Sequence, residues 1–278
     1  MSFIRGVLRC AQDDIVFMKR PLVKCLAAFV ALGLLPPIVA KAAENPYDLL
    51  GQTLAPFINL LAKNSRTPDR AVTIELRVLE ATGLPPELAH TTASISLEAP
   101  DKLRLSGPVL GEQVTLCRRG QELWAVPGAK IEALIKRGDL PKAKKKYKLA
   151  DFELPIPEKQ LVFLPVLFQV AAEADDEVNG VKCRVLDVRL MPELAHALKV
   201  EAWTARLWVG ADHKPVKIDF RQPEWHGVFV FDKVEFAPSL PPETWQPPSG
   251  EADVLTLTPQ RFKQLLDAAI GTTRSKSE

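Results

Sequence analysis

The side chains that carry most protein chemistry are scarce in this chain. Its 278 residues include two tyrosines, three methionines, four histidines and four cysteines. There is no His-Glu-x-x-His, no Cys-x-x-Cys, no Gly-x-Ser-x-Gly and no glycine-rich phosphate loop. The sequence marks of zinc hydrolases, dithiol redox proteins, serine hydrolases and nucleotide-binding folds are therefore missing. The 34 acidic side chains are scattered and single out no carboxylate pair. An excess of one charge is lacking too, with 36 basic against 34 acidic side chains. Six basic and two acidic side chains fall in the first 42 residues, which leaves the remainder at net charge −2. A near-neutral domain has no cationic footprint for a phosphate backbone, so nucleic acid is not an expected partner.

A long hydrophobic run is also missing. The longest apolar stretch, Leu26 to Leu35, ends at Pro36-Pro37, well short of the roughly 20 residues that span a bilayer. It reads as the apolar region of a secretory signal. Met18-Lys19-Arg20 supplies the cationic start and Ala40-Lys41-Ala42 the small-x-small cleavage site. Residues 1–17 read as an upstream extension, 18–42 as the signal peptide, and the expected compartment is the periplasm. A lipidation site at Cys25 is disfavoured, because it precedes the apolar stretch and follows Lys24. Cleavage near Ala42 leaves Cys117 and Cys183, which in an oxidising compartment either pair or lie buried as thiols.

After the leader, Asn45-Pro46 opens a helix with Leu49, Leu50, Leu54, Phe57, Ile58 and Leu61 at helical spacing; Pro56 is expected to kink or divide it. Alternating segments follow at 72–78, 93–97, 102–105, 114–116 and 123–126, with turns at Pro100-Asp101 and Arg119-Gly120. Period-two alternation at this spacing predicts antiparallel strands with one buried face. Residues 128–157 read as a charged break, and Glu158 to Ala174 as an apolar helix kinked at Pro165. Further strands are expected at 181–190, 199–209, 215–221 and 227–236. Pro238 to Pro248 ends the sheet, and Thr258-Pro259 caps a last helix with Phe262, Leu265, Leu266, Ala269 and Ile270 on its apolar face. The expected organisation is one domain over 43–250, a C-terminal helix over 251–271 and a frayed tail over 272–278.

Glu87/His90 and Glu193/His196 repeat a Glu-x-x-His spacing that serves di-metal sites on facing helices. Here both follow prolines in short inter-strand turns, so no metal or other cofactor is expected. The lysine run Lys142, Lys144, Lys145, Lys146 and Lys148 reads as a solvated loop, or as a docking site for anionic lipid headgroups or an acidic partner. The apolar segment around Phe163 is either a helix over a core or a lid over a cavity.

Several segments resemble the periplasmic LolA-like lipoprotein-carrier superfamily. Asn179-Gly180-Val181-Lys182-Cys183-Arg184-Val185-Leu186-Asp187-Val188 resembles one of its strands. Arg206-Leu207-Trp208-Val209 with Lys214-Pro215-Val216-Lys217-Ile218 resembles a hairpin, and Phe236 to Pro241 a closing segment. Upstream, Ala99-Pro100-Asp101-Lys102-Leu103-Arg104-Leu105 and Arg118-Arg119-Gly120-Gln121-Glu122-Leu123-Trp124 fit the same order. The resemblance covers residues 45 to 250. It implies an α+β, mainly antiparallel fold: an open half-barrel with helices covering the concave side. It also implies non-catalytic carriage of lipid or lipoprotein acyl chains. The family's carrier switches its lid with an inward arginine; Arg77 and Arg104 are strand arginines here, but neither sits in a matching motif.

The expected role is thus a periplasmic binding protein for acyl chains. The alternative is an envelope sensor or protein-interaction module without cargo. The expected cavity residues are Leu76, Val78, Ile95, Leu97, Leu103 and Leu105 from the early strands, with Leu116, Phe163, Leu167 and Trp203 beyond them. The membrane surface or envelope proteins are further candidate partners, and a monomer is expected.

Overall fold

A computed structural model describes residues 45–63, 67–83, 88–109, 111–137, 140, 149, 151–157, 164–198, 203–248 and 253–269. The leader, the lysine run and the tail lie outside these residues. The first helix, α1 (Pro46–Leu61), starts where Asn45 Oδ1 accepts from Tyr47 N at 3.0 Å. It runs through Pro56 as one helix, so the proline does not divide it; Leu49, Leu50 and Leu60 are anchored on both sides of the proline by the sheet.

The strands that follow are β1 (Ala62–Lys63), β2 (Ala71–Thr82), β3 (Thr92–Glu98), β4 (Lys102–Val109), β5 (Glu112–Arg119) and β6 (Glu122–Val126). Helix α2 (Gly128–Arg137) and β7 (Leu154–Pro157) come next, then a 3-10 turn (Leu164–Leu167) leads into β8 (Phe168–Ala172), β9 (Asp176–Val178) and β10 (Val181–Leu190). Helix α3 (Pro192–Leu198) precedes β11 (Thr204–Val209), β12 (Pro215–Arg221) and β13 (His226–Ala237). A second 3-10 turn (Pro242–Trp245), β14 (Leu255–Thr256) and α4 (Pro259–Ala269) complete the chain.

Twelve strands form one antiparallel sheet in the order β14-β6-β5-β4-β3-β2-β13-β12-β11-β10-β8, with β9 also on β10; β1 and β7 pair separately in parallel. The sheet stays open, and α1, α2 and α4 pack on one face. The protein is therefore an α+β, mainly antiparallel, open half-barrel with helices on its inner face. Asn179 and Gly180 both have positive φ, the requirement of the two-residue turn that joins β9 to β10.

Three segments depart from expectation. The helix expected over 158–174 is absent from its described part: 164–167 is a 3-10 turn and 168–172 a strand on β10, while 158–163, with Phe163, lie outside the described residues. Pro165 stops helical propagation, and the ladder to β10 outweighs local propensity. The charged break contains α2, whose Ile131 and Leu134 are fully buried. Its first amide, on Gly128, donates to Asp253 O at 2.7 Å, and the next, on Ala129, to both carboxylate oxygens of Asp253, at 2.9 and 3.1 Å. The turn expected near His196 is α3. Cys117 and Cys183 are buried free thiols, and burial pushes the Cys117 thiol up to about 12.

The outer face carries paired charge. Asp187, Arg206 and Asp219 stand opposite one another across β10, β11 and β12. Arg189 meets Asp187 at 2.7 Å, Arg221 meets Asp219 at 2.8 Å, and Arg77 meets Asp232 at 2.7 Å. Hydrogen bonds from Arg189 and Arg77 hold Asp187 and Asp232 below the usual carboxylate range. Burial pushes Asp219 up, but Arg221 and His226 together outweigh it and the net shift is downward. A carboxylate lowered in the folded state contributes stability that is complete above about pH 5 and is lost as pH falls toward the folded value. Urea unfolding is accordingly expected to show level stability from neutrality to about pH 5 and a decline below it. Asp187→Asn is expected to flatten that decline; an unchanged acid slope in this variant counts against the assignment.

Candidate functional site

Cross-strand register arranges the inner-face side chains in rows. Val72, Leu97, Leu103, Arg118 and Leu123 form one row, and Ile74, Ile95, Leu105, Leu116 and Ala125 the next. A third runs from Phe231 through Leu76 to Ala93. A fourth crosses to the other half of the sheet: Val78, Phe229, Ile218, Leu207 and Leu186.

Burial along these rows is uneven. At one flank, Leu103, Leu116 and Leu123 are buried beneath α2 and α4, together with Ile131, Leu134, Phe262 and Leu265. At the other flank, Leu186, Val188 and Leu207 are buried beneath Leu49 and Leu50 of α1. Between them the inner side chains are half-buried: Ile74, Leu76, Ile95 and Leu105 on one side, Ile218, Phe229 and Phe231 on the other. The floor is lowest at Ala93 and Gly107, where a Cβ added to Gly107 lies 3.1 Å from that of Ala93. These residues form a half-buried apolar band across the middle of the sheet, the candidate groove: a third core of Leu60, Val72 and Val234 takes in Ile74 and Phe231, while Leu76, Leu105 and Phe229 are half-buried outside the cores.

One buried charge lies on the same face. Arg118 donates through Nε to Gly120 O at 3.2 Å, and its Nη2 is 3.7 Å from Asp151. The Phe152 ring covers the guanidinium at 4.9 Å. Phe152 N donates to Pro100 O at 2.6 Å, and Glu153 pairs with Arg70 at 3.2 Å. Residues 151–153 are thus strapped over the Arg118 end of the groove. Arg77 and Arg104 face the other way: Arg77 bonds Asp232, and Arg104 donates to Thr244 O at 2.9 Å.

At the opposite strand ends, four half-buried aromatic rings stand in line. Centroids are 5.7 Å apart for Phe168–Trp203, 5.3 Å for Trp203–Phe220 and 5.0 Å for Phe220–Trp225. Gly227, paired with Phe220, makes room for them, since a Cβ there would meet the Phe229 ring at 2.7 Å and the Trp225 ring at 3.3 Å.

The residues singled out from sequence fall in different places. Leu76, Ile95, Leu97 and Leu105 are half-buried along the groove, and Val78 is buried in its fourth row. Leu103 and Leu116 lie in the closed core. Trp203 belongs to the aromatic line, and Leu167 is exposed on the 3-10 turn. The sequence reading missed Ile74, Ile218, Phe229, Phe231 and Arg118. A register shift between Phe231 and Lys233 changes the parity of β13, so simple alternation misplaces the two phenylalanines. Among the described residues no three metal-ligating side chains cluster, and no helix is long and apolar enough to cross a membrane. His90 and His196 are exposed.

No known family and no curated protein matches the sequence. Solved structures do match. The lipoprotein LppX of Mycobacterium tuberculosis is 12% identical, with 70% of this chain and 96% of that one covered and a TM-score of 0.39. LprF of Mycobacterium bovis is 7% identical, covering 74% and 99%, with a TM-score of 0.41. A LolA superfamily protein of Nitrosomonas europaea is 10% identical, covering 74% and 99%, with a TM-score of 0.27.

Proposed function

We propose that this chain is an exported, non-catalytic binding protein that holds an acyl chain of a lipid or lipoprotein in the groove between its inner-face cores. The observation that carries this reading is the band of half-buried, inward-facing apolar side chains around Leu76, Ile95, Phe229 and Phe231. A folded domain normally closes such a face with its own side chains; here Leu60 of α1 closes it over Val72 and Val234, and Leu76, Leu105 and Phe229 are left half-buried outside the cores. An acyl chain supplies a flexible apolar body with no polar group to satisfy along its length. About fifteen methylenes at ~0.8 kcal/mol each give a gross gain on the order of 10 kcal/mol, which exceeds the low end of the ordering and association costs.

Native mass spectrometry of protein recovered from the periplasm is the test. The expected spectrum carries an adduct of acyl-lipid mass, or acquires one on addition of fatty acid or lipopeptide. Protein that arrives empty and ignores both would favour the cargo-free envelope module instead.

A further inference from the structure

β8 is the last strand on its side of the sheet, and among the described residues no strand covers its free edge. Glu173 N donates to Val185 O, and Met191 N donates to Leu167 O. Val170 stands opposite Val188 and Ala172 opposite Leu186. Antiparallel alternation then turns the backbone N–H and C=O of Gln169 and Ala171 toward β10. Those of Phe168, Val170 and Ala172 point to the open edge.

Natural proteins guard such edges with charge, proline, bulges or very short strands. The five residues Phe168-Gln169-Val170-Ala171-Ala172 carry no charge, no proline and an unbroken register. Ala171 and Ala172 are exposed, and just before the strand Val166 and Leu167 are 58% and 40% exposed. The opposite edge, β14, is guarded by its length of two residues.

We infer that β8 pairs antiparallel with β8 of a second copy of this chain, about a two-fold axis at Val170. In that register Val170 faces its own copy and Phe168 faces the partner's Ala172, so each outward residue exchanges both of its backbone bonds. Charge selects this register. Glu173, Asp175, Asp176 and Glu177 follow the strand, and a slip toward them sets carboxylate against carboxylate. Pairing about Val170 instead sets Glu173 opposite Leu167 and brings the exposed Val166 and Leu167 against the partner. A two-fold, self-complementary contact closes on itself and stops at two copies.

Analytical ultracentrifugation of the full chain after export tests the inference. The expected result is a concentration-dependent doubling of mass. Val170→Pro removes the central edge N–H, which makes no bond to β10, and is expected to abolish the doubling while the far-UV circular dichroism stays unchanged. Val170→Cys places two thiols across the axis and is expected to give a disulfide-linked dimer on mild oxidation, with Glu177→Cys giving none. Wild-type protein that remains monomeric at its highest soluble concentration overturns the inference. So does a dimer that persists in folded Val170→Pro, or one that fails to cross-link through Val170→Cys, since each places the contact elsewhere.

Discussion

Leu265→Ala is expected to lower the unfolding free energy by about 2–5 kcal/mol and the Tm by on the order of 10 °C. Leu265 is completely buried. It sits on α4 within the cluster that joins Leu103, Leu116 and Leu123 of the sheet to Ile131 and Leu134 of α2. Truncating it removes transfer free energy and leaves a cavity walled by β-strands and a second helix, which have little freedom to collapse. The variant also tests how the chain is partitioned. If α4 belongs to the same cooperative unit as the sheet, tryptophan fluorescence and far-UV circular dichroism should shift together in a single urea transition. A loss below about 1 kcal/mol, or an early separate transition, would mean that α4 is an appendage and that the α2 side of the groove is held by other contacts.

The legible parts of this fold are those whose signals are local. Asn45, Thr258 and Asn179-Gly180 mark a helix start, a second helix start and a turn by their own chemistry. Arg261 N donates to Thr258 Oγ1 at 3.3 Å, and Asn179 and Gly180 take the expected positive φ. Strands expected at 181–190 and 215–221 have those bounds: their inner positions meet a core, and their outer positions carry a second apolar cluster around Cys183, Val185 and Trp208 beside the paired charges of Asp187, Arg189, Asp219 and Arg221. What escaped depends on distant partners. The start of α2 is held by Asp253, 124 residues further on, and no local residue announces it, although Ile131, Leu134 and Ile135 keep helical spacing. The strand in place of the expected helix at 168–172 is specified by the vacant ladder of β10, which lies later in the sequence.

The same distinction governs the groove. Sequence alternation identifies Leu76, Ile95 and Leu105 as apolar positions on one face, but it cannot separate them from Leu116, three strands from Leu76 in the sheet. Whether a helix lands on a given row decides that. In sequence, Arg118 stands out only as the first residue of the Arg118 to Trp124 segment that resembles the carrier family, beside the Arg119-Gly120 turn. Its inward direction follows from its pairing with Leu103 and Leu123. Phe231 reaches the inner face because of a register shift that composition does not betray.

The separation between floor and core leads to the sharpest expected result. Leu76→Glu should leave the protein folded and weaken acyl-chain binding by about 100-fold or more. In the empty groove the half-buried side chain of residue 76 keeps contact with water, so an ionised carboxylate there remains solvated and the stability change is small. With a chain bound, that carboxylate is sealed against methylenes with no partner, since the nearest inner-face neighbours are Ala93 and Phe231. An unpaired buried charge carries a penalty of about 3–5 kcal/mol, and about 2.8 kcal/mol already corresponds to 100-fold. The sign of the pH dependence follows. Burial beneath the chain disfavours the charged form and raises the carboxyl pKa in the complex. Acidification below about pH 5, toward the ordinary glutamate value, should therefore restore much of the affinity to Leu76→Glu and none to Leu76→Gln. Leu116→Glu provides the contrast: at 1% exposure within the closed core, it should fail to fold at neutral pH. Binding that survives Leu76→Glu at neutral pH would show that cargo does not cross this part of the sheet. Binding that is lost without recovery on acidification would assign the effect to distortion of the groove and not to desolvated charge.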